Sequence, residues 1–261
     1  MSRRRKKKYN RKKLLLLLSV IALVFVGYYF YPDFISLFKK RQQKPQTYEV
    51  FRKELSDYSV FGIDVSHYQT NIDWDKLLKT HKIDFVIVRA TMGHNKVDNK
   101  FLKNWKALNN AKIIKGAYHY YRPDENSTLQ AQNFIKNVVL KEGDLPPVLD
   151  IEKYSRVQSI NSLKSGLLNW LEIVEKHYNV TPILYTYHNF YVSTLKIDSR
   201  FDKYPIWFAW YNVKQNPNTV LSDWIFWQFT DKGLLEGIEG YVDINVFNGK
   251  INEIEGLRIK K

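Results

Sequence analysis

The chain contains no cysteine. That absence excludes a disulfide framework, a Cys-ligated metal site and a thiol nucleophile, and it leaves the compartment open. No H-x-x-x-H or comparable ligand cluster occurs, so neither a metal nor another cofactor is expected. A serine-hydrolase elbow of the form G-x-S-x-G is missing as well. The glycine-spaced run "GLLEGIEG" (233–240) opens no helix, so it reads as turns ahead of a last strand and not as a phosphate cradle. There is no internal repeat of the kind that builds arrays. Acidic residues are scarce at one end only. Residues 1–53 hold 15 Lys/Arg against two acids, Asp33 and Glu49, and from Glu54 onward 26 basic residues meet 24 acidic ones. The formal charge of +15 is therefore a property of the amino-terminal tail. With no basic groove in the body, nucleic acid is not an expected partner.

Charge is also absent from Leu14 to Tyr31, "LLLLLSVIALVFVGYYFY", directly after the basic tail "MSRRRKKKYNRKK" (1–13). A run of this length can cross a hydrocarbon core as a helix, and the spacing predicts a membrane anchor. The Lys/Arg cluster before it favours a cytoplasmic amino terminus, while Tyr28, Tyr29 and Tyr31 suit the far interface. Its bulky aromatic end lacks the small-x-small site of a cleaved signal peptide. Residues 32–57, polar and basic, read as a tether near an anionic membrane surface. The folded part is expected over 58–261, outside the cytoplasm.

What is present in that part is alternation. The runs "FGIDVS", "DFVIVRAT", "IIKGAYHYY", "PPVLDIE", "PILYTY", "PIWFAWY", "WIFWQF" and "VDINVF" are rich in β-branched and aromatic residues and read as eight strands. Between them Phe101, Leu102, Trp105 and Leu108, and again Leu163, Leu167, Leu168, Leu171 and Val174, fall on single helical faces. Ser127 and Gln130 have the form of a capping box ahead of Ala131, Phe134, Ile135 and Val138. After "PILYTY" the helical patterns shorten. The expected fold is an α/β, eight-stranded TIM-like barrel of five βα units and three closing strands. Its active site should lie at the carboxyl ends of the strands.

Those ends present Asp64, Ser66, Arg89, Thr91, His119, Tyr120, Asp150, Glu152, Tyr185, Tyr187, Trp210, Gln228, Asp243 and Asn245. A core needs none of these polar groups, whereas a mouth that binds sugar can use nearly all of them. Asp150 and Glu152, at i and i+2, point to one side of a strand. Repulsion and burial would then part their pKa values, giving a protonated acid beside an ionised partner, as glycosidic bond cleavage requires. A D-x-E triplet by itself is weak evidence, since an ordinary strand-end ion pair or cap has the same form.

The ordered set "FGIDVSHYQTNIDW", "KGAYHYYRP", "LPPVLDIE", "PILYTY", "WFAWY", "WQFT" and "GYVDINVFNG" resembles the family 25 glycoside hydrolases, lysozymes that cleave bacterial peptidoglycan. The resemblance runs from about Tyr58 to Gly249 and implies the same barrel. It implies that Glu152 protonates the leaving oxygen and later activates water, and that Asp150 orients or stabilises the substrate's acetamido group. Asp64 and Asp243 would hold the network and the sugar, and Tyr120, Tyr185, Trp210, Trp227 and Gln228 would line the groove. His67 and His119 are expected in neutral structural or groove roles. The implied partner is the peptidoglycan strand. Two other readings stay open: an anchored glycan-binding protein without activity, and a barrel glycosidase acting on a chitin-like polymer, although the D-x-x-D-x-D-x-E run of one such family is missing.

Overall fold

The computed structural model describes residues 44–211, 217–219, 221 and 223–260. Its eight main strands are β1 (Phe61–Val65), β2 (Phe85–Met92), β3 (Ile114–Tyr120), β4 (Val148–Ile151), β5 (Ile183–Tyr187), β6 (Ile206–Ala209), β7 (Phe226–Leu234) and β8 (Val242–Phe247). All eight overlap the runs expected to be strands, and β7 continues past "WIFWQF" to Leu234, into the run read as turns. Each pairs with its sequence neighbours, and β8 pairs back onto β1, which closes the barrel. Strands β1 to β7 are parallel to one another, but β8 is antiparallel to both β7 and β1. The link 235–241 contains no crossover helix, so the last strand must turn back. The expected placement of the site at the carboxyl ends of the strands therefore holds for β1 to β7 and is corrected for β8, which meets the same end with its beginning.

Helices α2 (Trp74–Thr80), α3 (Phe101–Ala111), α4 (Ser127–Asn137) and α5 (Ile160–Tyr178) follow β1 to β4, and a short helical stretch, 188–195, follows β5. These are the five βα units read from the sequence. Apolar residues on the outer strand faces, among them Val86, Val88, Leu149 and Ile151, pack with Leu167, Leu171 and Val174 of α5 and with Phe134 of α4 in one buried cluster. A second cluster fills the bottom of the barrel with Phe85, Val148, Ile183, Phe226 and Phe247, capped by Ile254 from a last helix, α6 (Ile251–Leu257). Gly62 is required beside it, because a Cβ there would come within 2.5 Å of the Phe85 ring and carbonyl. The barrel is solid below and polar above, so its chemistry is confined to one end.

Three local expectations change. The α4 cap is Asn126, whose side chain accepts from the Leu129 N–H, and not Ser127. Gln130 points inward instead, accepting from Arg122 N and donating to the carbonyls of Arg122 and Glu125. Leu102 is 72% exposed and lies off the buried face formed by Phe101 and Leu108. The third change is the boundary of the tether. Gln46–Thr47 pair with Gly233–Leu234 of β7, and a helix α1 (Tyr48–Glu54) buries Tyr48 and Phe51 in the outer core. The Tyr48 hydroxyl donates to the Lys82 carbonyl, and His81 pairs with Glu49, so α1 is fastened to the end of α2. The barrel therefore begins near residue 46 and not at 58; basic composition hid two buried aromatic anchors. The tail 1–13, the apolar run Leu14–Tyr31 and tether residues 32–43 lie outside the described residues. Among the described residues no helix is long and apolar enough to cross a membrane.

Candidate active site

At the open end, strand parity decides which side chains face inward, since residues i and i+2 share a face. Asp64, Arg89, Tyr120, Asp150, Glu152, Tyr185, Tyr187, Gln228 and Asp243 all line one cavity of about 630 Å³, a volume suited to a small ligand or part of a polymer. Asp243 arrives there by a different route from the others. Because β8 is reversed, its beginning and not its end lies at the mouth, where Asp243 stands opposite Asp64.

Asp64 is buried at the centre of a hydrogen-bond network. Its Oδ2 accepts from Gln228 Nε2 and from Asn245 Nδ2, each at 2.8 Å. The Trp207 indole N–H, which can only donate, fills Asn245 Oδ1 at 2.8 Å and so turns the Asn245 amide nitrogen toward Asp64. The hydroxyls of Tyr185 and Tyr211 both donate to Gln228 Oε1 at 2.8 Å, which orients that amide in the same way. Every polarity in the network converges on one carboxylate oxygen. Burial pushes the Asp64 pKa up to about 6, and the two amide donors hold it back from rising further.

Asp150 is buried and lies in register with Tyr120 and Tyr185. Its Oδ1 has no hydrogen-bond partner among the described residues. Burial, followed by repulsion from Glu152, lifts its pKa well above the ordinary value of an aspartate. Glu152 is partly exposed and is also raised, chiefly by burial, while Lys153 and a hydrogen bond with Tyr120 act against the rise. Burial and the neighbouring Asp64 raise Asp243 as well. Four acids thus share one mouth, and each is held above its ordinary pKa. The segment after Glu152 is braced, with the Tyr154 ring stacked at 4.5 Å on Phe190, its hydroxyl 2.9 Å from Thr194 Oγ1, and Ser155 bonded to Asp124.

Several expected groove residues stand elsewhere. Trp227 faces outward and is fully buried, with its indole N–H donated to the Trp210 carbonyl at 2.7 Å. Trp210 also faces the outer core, stacked on His188 at 5.4 Å. Parity explains both positions: in "WFAWY" the inward residues are Trp207 and Tyr211, and in "WQF" the inward residue is Gln228. Gln228 faces the cavity as expected, but its bonds to Tyr185, Tyr211 and Asp64 place it as a support for Asp64. His119 and Thr91 face outward and bond each other at 2.7 Å; alternation with Phe85 and Ile87 points Arg89 inward, and the bulge between Arg89 and Thr91 turns Thr91 outward. Burial lowers the His119 pKa to about 4, so the ring is neutral, stacked on Trp170. His67 lies beside Asp98 and Arg89 at the rim.

Comparison with known proteins places this arrangement among relatives. The model for "Glycosyl hydrolases family 25" matches residues 63–238, which include Asp64, Asp150 and Glu152 but stop short of Asp243. A protein named YegX from Escherichia coli is 37% identical over 205 residues, covering 77% of this chain and 74% of that protein. Lysozyme M1 of Streptomyces globisporus is 34% identical over 203 residues, covering 73% of this chain and 68% of its own length. The structure of a family 25 glycosyl hydrolase from Bacillus anthracis superposes with a TM-score of 0.70 at 35% identity, covering 78% of this chain and 95% of the other.

Proposed function

The chain belongs to family 25 of the glycosyl hydrolases and is a glycoside hydrolase, and from that premise we propose that it cleaves the β-1,4 bond between N-acetylmuramic acid and N-acetylglucosamine in peptidoglycan. That one relative is a lysozyme supports this substrate class. The observation that carries the reading is the pair at the end of β4: Glu152 partly open to the cavity, and Asp150 beside it with a buried, unpartnered Oδ1. Glu152, raised by burial, keeps its proton where an ordinary glutamate has lost it, and it acts as the general acid toward the leaving oxygen. Asp150 Oδ1 accepts the acetamido N–H of the muramic residue. That bond supplies the partner the oxygen lacks and favours the ionised form. Asp64, ionised above about pH 6, offsets positive charge developing at the anomeric carbon, and Asp243 holds the sugar beside it.

Asp150 lies on β4 and Glu152 follows its last residue, an i, i+2 spacing that in an extended chain sets Cα atoms roughly 6.5 to 7 Å apart with side chains projecting the same way. This arrangement leaves little room between them for the water an inverting enzyme needs. The acetamido oxygen is therefore the nucleophile, and the product forms with retained β configuration. Proton NMR of the fresh product tests this: early β-anomer is expected, with slower cleavage by Asp150→Asn, and early α-anomer would rule the mechanism out.

We also place the enzyme on a membrane, with residues 14–31 as a single span, the amino terminus cytoplasmic and the barrel outside. The uncharged run and the basic residues before it support this. From there it would act on the wall from the membrane side, in remodelling or in clearing space for a structure that crosses it. Partition of the full chain with membranes checks the placement.

A further inference from the structure

We propose that Tyr68 is a stacking platform for a pyranose ring of the bound glycan, at the β1 end of the groove. The inference rests on reading the mouth as a glycan site and adds a binding residue to it. Tyr68 lines the same cavity as the acids, yet 73% of it is exposed. An aromatic ring so exposed at the rim of a polar cavity leaves most of its surface open to a ligand. Its hydroxyl bonds no described residue, so the ring and not the hydroxyl makes its contacts with the fold.

The ring is nevertheless held in place. Its backbone lies in the single turn His67–Gln69, where the Tyr68 N–H donates to Ser66 Oγ and the Gln69 side chain accepts from Ser66 N. Gln69 also donates to the Tyr241 carbonyl, which ties the turn to the chain entering β8. The Tyr68 ring lies 4.2 Å from that of His67, and the Arg89 guanidinium sits 5.3 Å from the ring centroid. Arg89 is anchored in turn by the buried Asp98 at 2.9 Å. A platform fixed in this way loses little side-chain freedom when a sugar settles on it, which is the condition under which an aromatic contact contributes most.

Position strengthens the assignment. In a ring of eight strands β1 stands opposite β5, whose Tyr187 lines the same cavity and meets Tyr211 edge-on at 6.5 Å. A chain lying across the mouth from Tyr68 to Tyr187 passes over the four acids. One tyrosine then supports the glycan at each end of the track.

The test uses the full chain in detergent, with Tyr68→Ala and Tyr68→Phe. Two readouts are taken: kcat and KM for release of reducing ends from purified peptidoglycan, and co-sedimentation with peptidoglycan of the same substitutions combined with Glu152→Gln. For Tyr68→Ala, KM should rise and affinity fall about tenfold, with kcat within about twofold and unchanged melting. Tyr68→Phe should match the parent in both, because the ring and not the hydroxyl makes the contact. Unchanged KM and affinity in Tyr68→Ala, or a Phe variant as impaired as the Ala variant, would overturn the assignment. If the parent released no ends but bound, the proposed reaction alone would fail and sedimentation would still decide Tyr68. Absence of binding by every form would overturn both.

Discussion

Replacing Asp64 by Asn should abolish activity and stabilise the protein. The substituted amide copies the shape of the protonated acid, and its oxygen can accept the same two amide N–H groups. In the folded chain the Asp64 pKa is displaced from 3.8 to about 6, with burial as the first cause. A folded-state value above the unfolded one means that the proton is held more tightly when folded. The stabilisation from this group is therefore complete below about pH 4 and is lost as pH rises through 6. At about 1.36 kcal/mol per pH unit the ionised form costs about 3 kcal/mol at neutral pH, a cost the Asp64→Asn variant avoids. For a chain of this size that corresponds to roughly 6 to 12 °C in melting temperature. Calorimetric melting of both forms at pH 7 and pH 4 is the assay. The variant should melt higher at pH 7, and the gap should close at pH 4. A variant less stable than the parent at pH 7 would refute the view that Asp64 is ionised there at the expense of stability.

Other outcomes follow from the same geometry. Glu152→Gln keeps the shape and removes the proton donor, so hydrolysis should fall by at least about 100-fold while sedimentation with peptidoglycan persists. Asn245→Leu removes one of the two donors to Asp64, a charge-assisted bond of about 1.5 to 3 kcal/mol. The acid limb of its pH–rate profile should move upward by about one to two pH units, whereas Trp207→Phe, which keeps the donor and removes only the contact that orients it, should move the limb less. A fragment starting at Lys44 should be folded and active, but one starting at Lys53 lacks Tyr48 and Phe51 and should melt far lower or aggregate, since truncating a buried Phe alone costs about 3 to 5 kcal/mol.

Much of the barrel can be read from the sequence because each strand is a short apolar run ending in polar residues, and period-2 alternation fixes which of them meet. Asp64, Asp150 and Glu152 follow from that rule, as do Tyr185 and Gln228. The same rule, applied strictly, moves the groove aromatics from Trp210 and Trp227 to Trp207 and Tyr211, because neighbours on a strand cannot share a face. Asp243 stands in the mouth for a reason no local pattern carries: the last strand is reversed, which depends on a link too short for a crossover. The roles of Gln228 and Asn245 as supports for Asp64 depend on contacts between residues more than 160 apart, which composition and spacing do not encode. Residues 46–55 read as tether because Lys and Arg dominate their surroundings, while burial depends on only Tyr48, Phe51 and Leu55.

The most direct measurement is the identity of the ends the enzyme creates. Purified peptidoglycan is incubated with the full chain in detergent, the products are reduced with borohydride, and the reduced sugars are identified after hydrolysis. Reduced muramic acid is the expected outcome, absent when Glu152→Gln is used. Reduced glucosamine, or no new ends from the unsubstituted chain, would contradict the assignment of a muramidase.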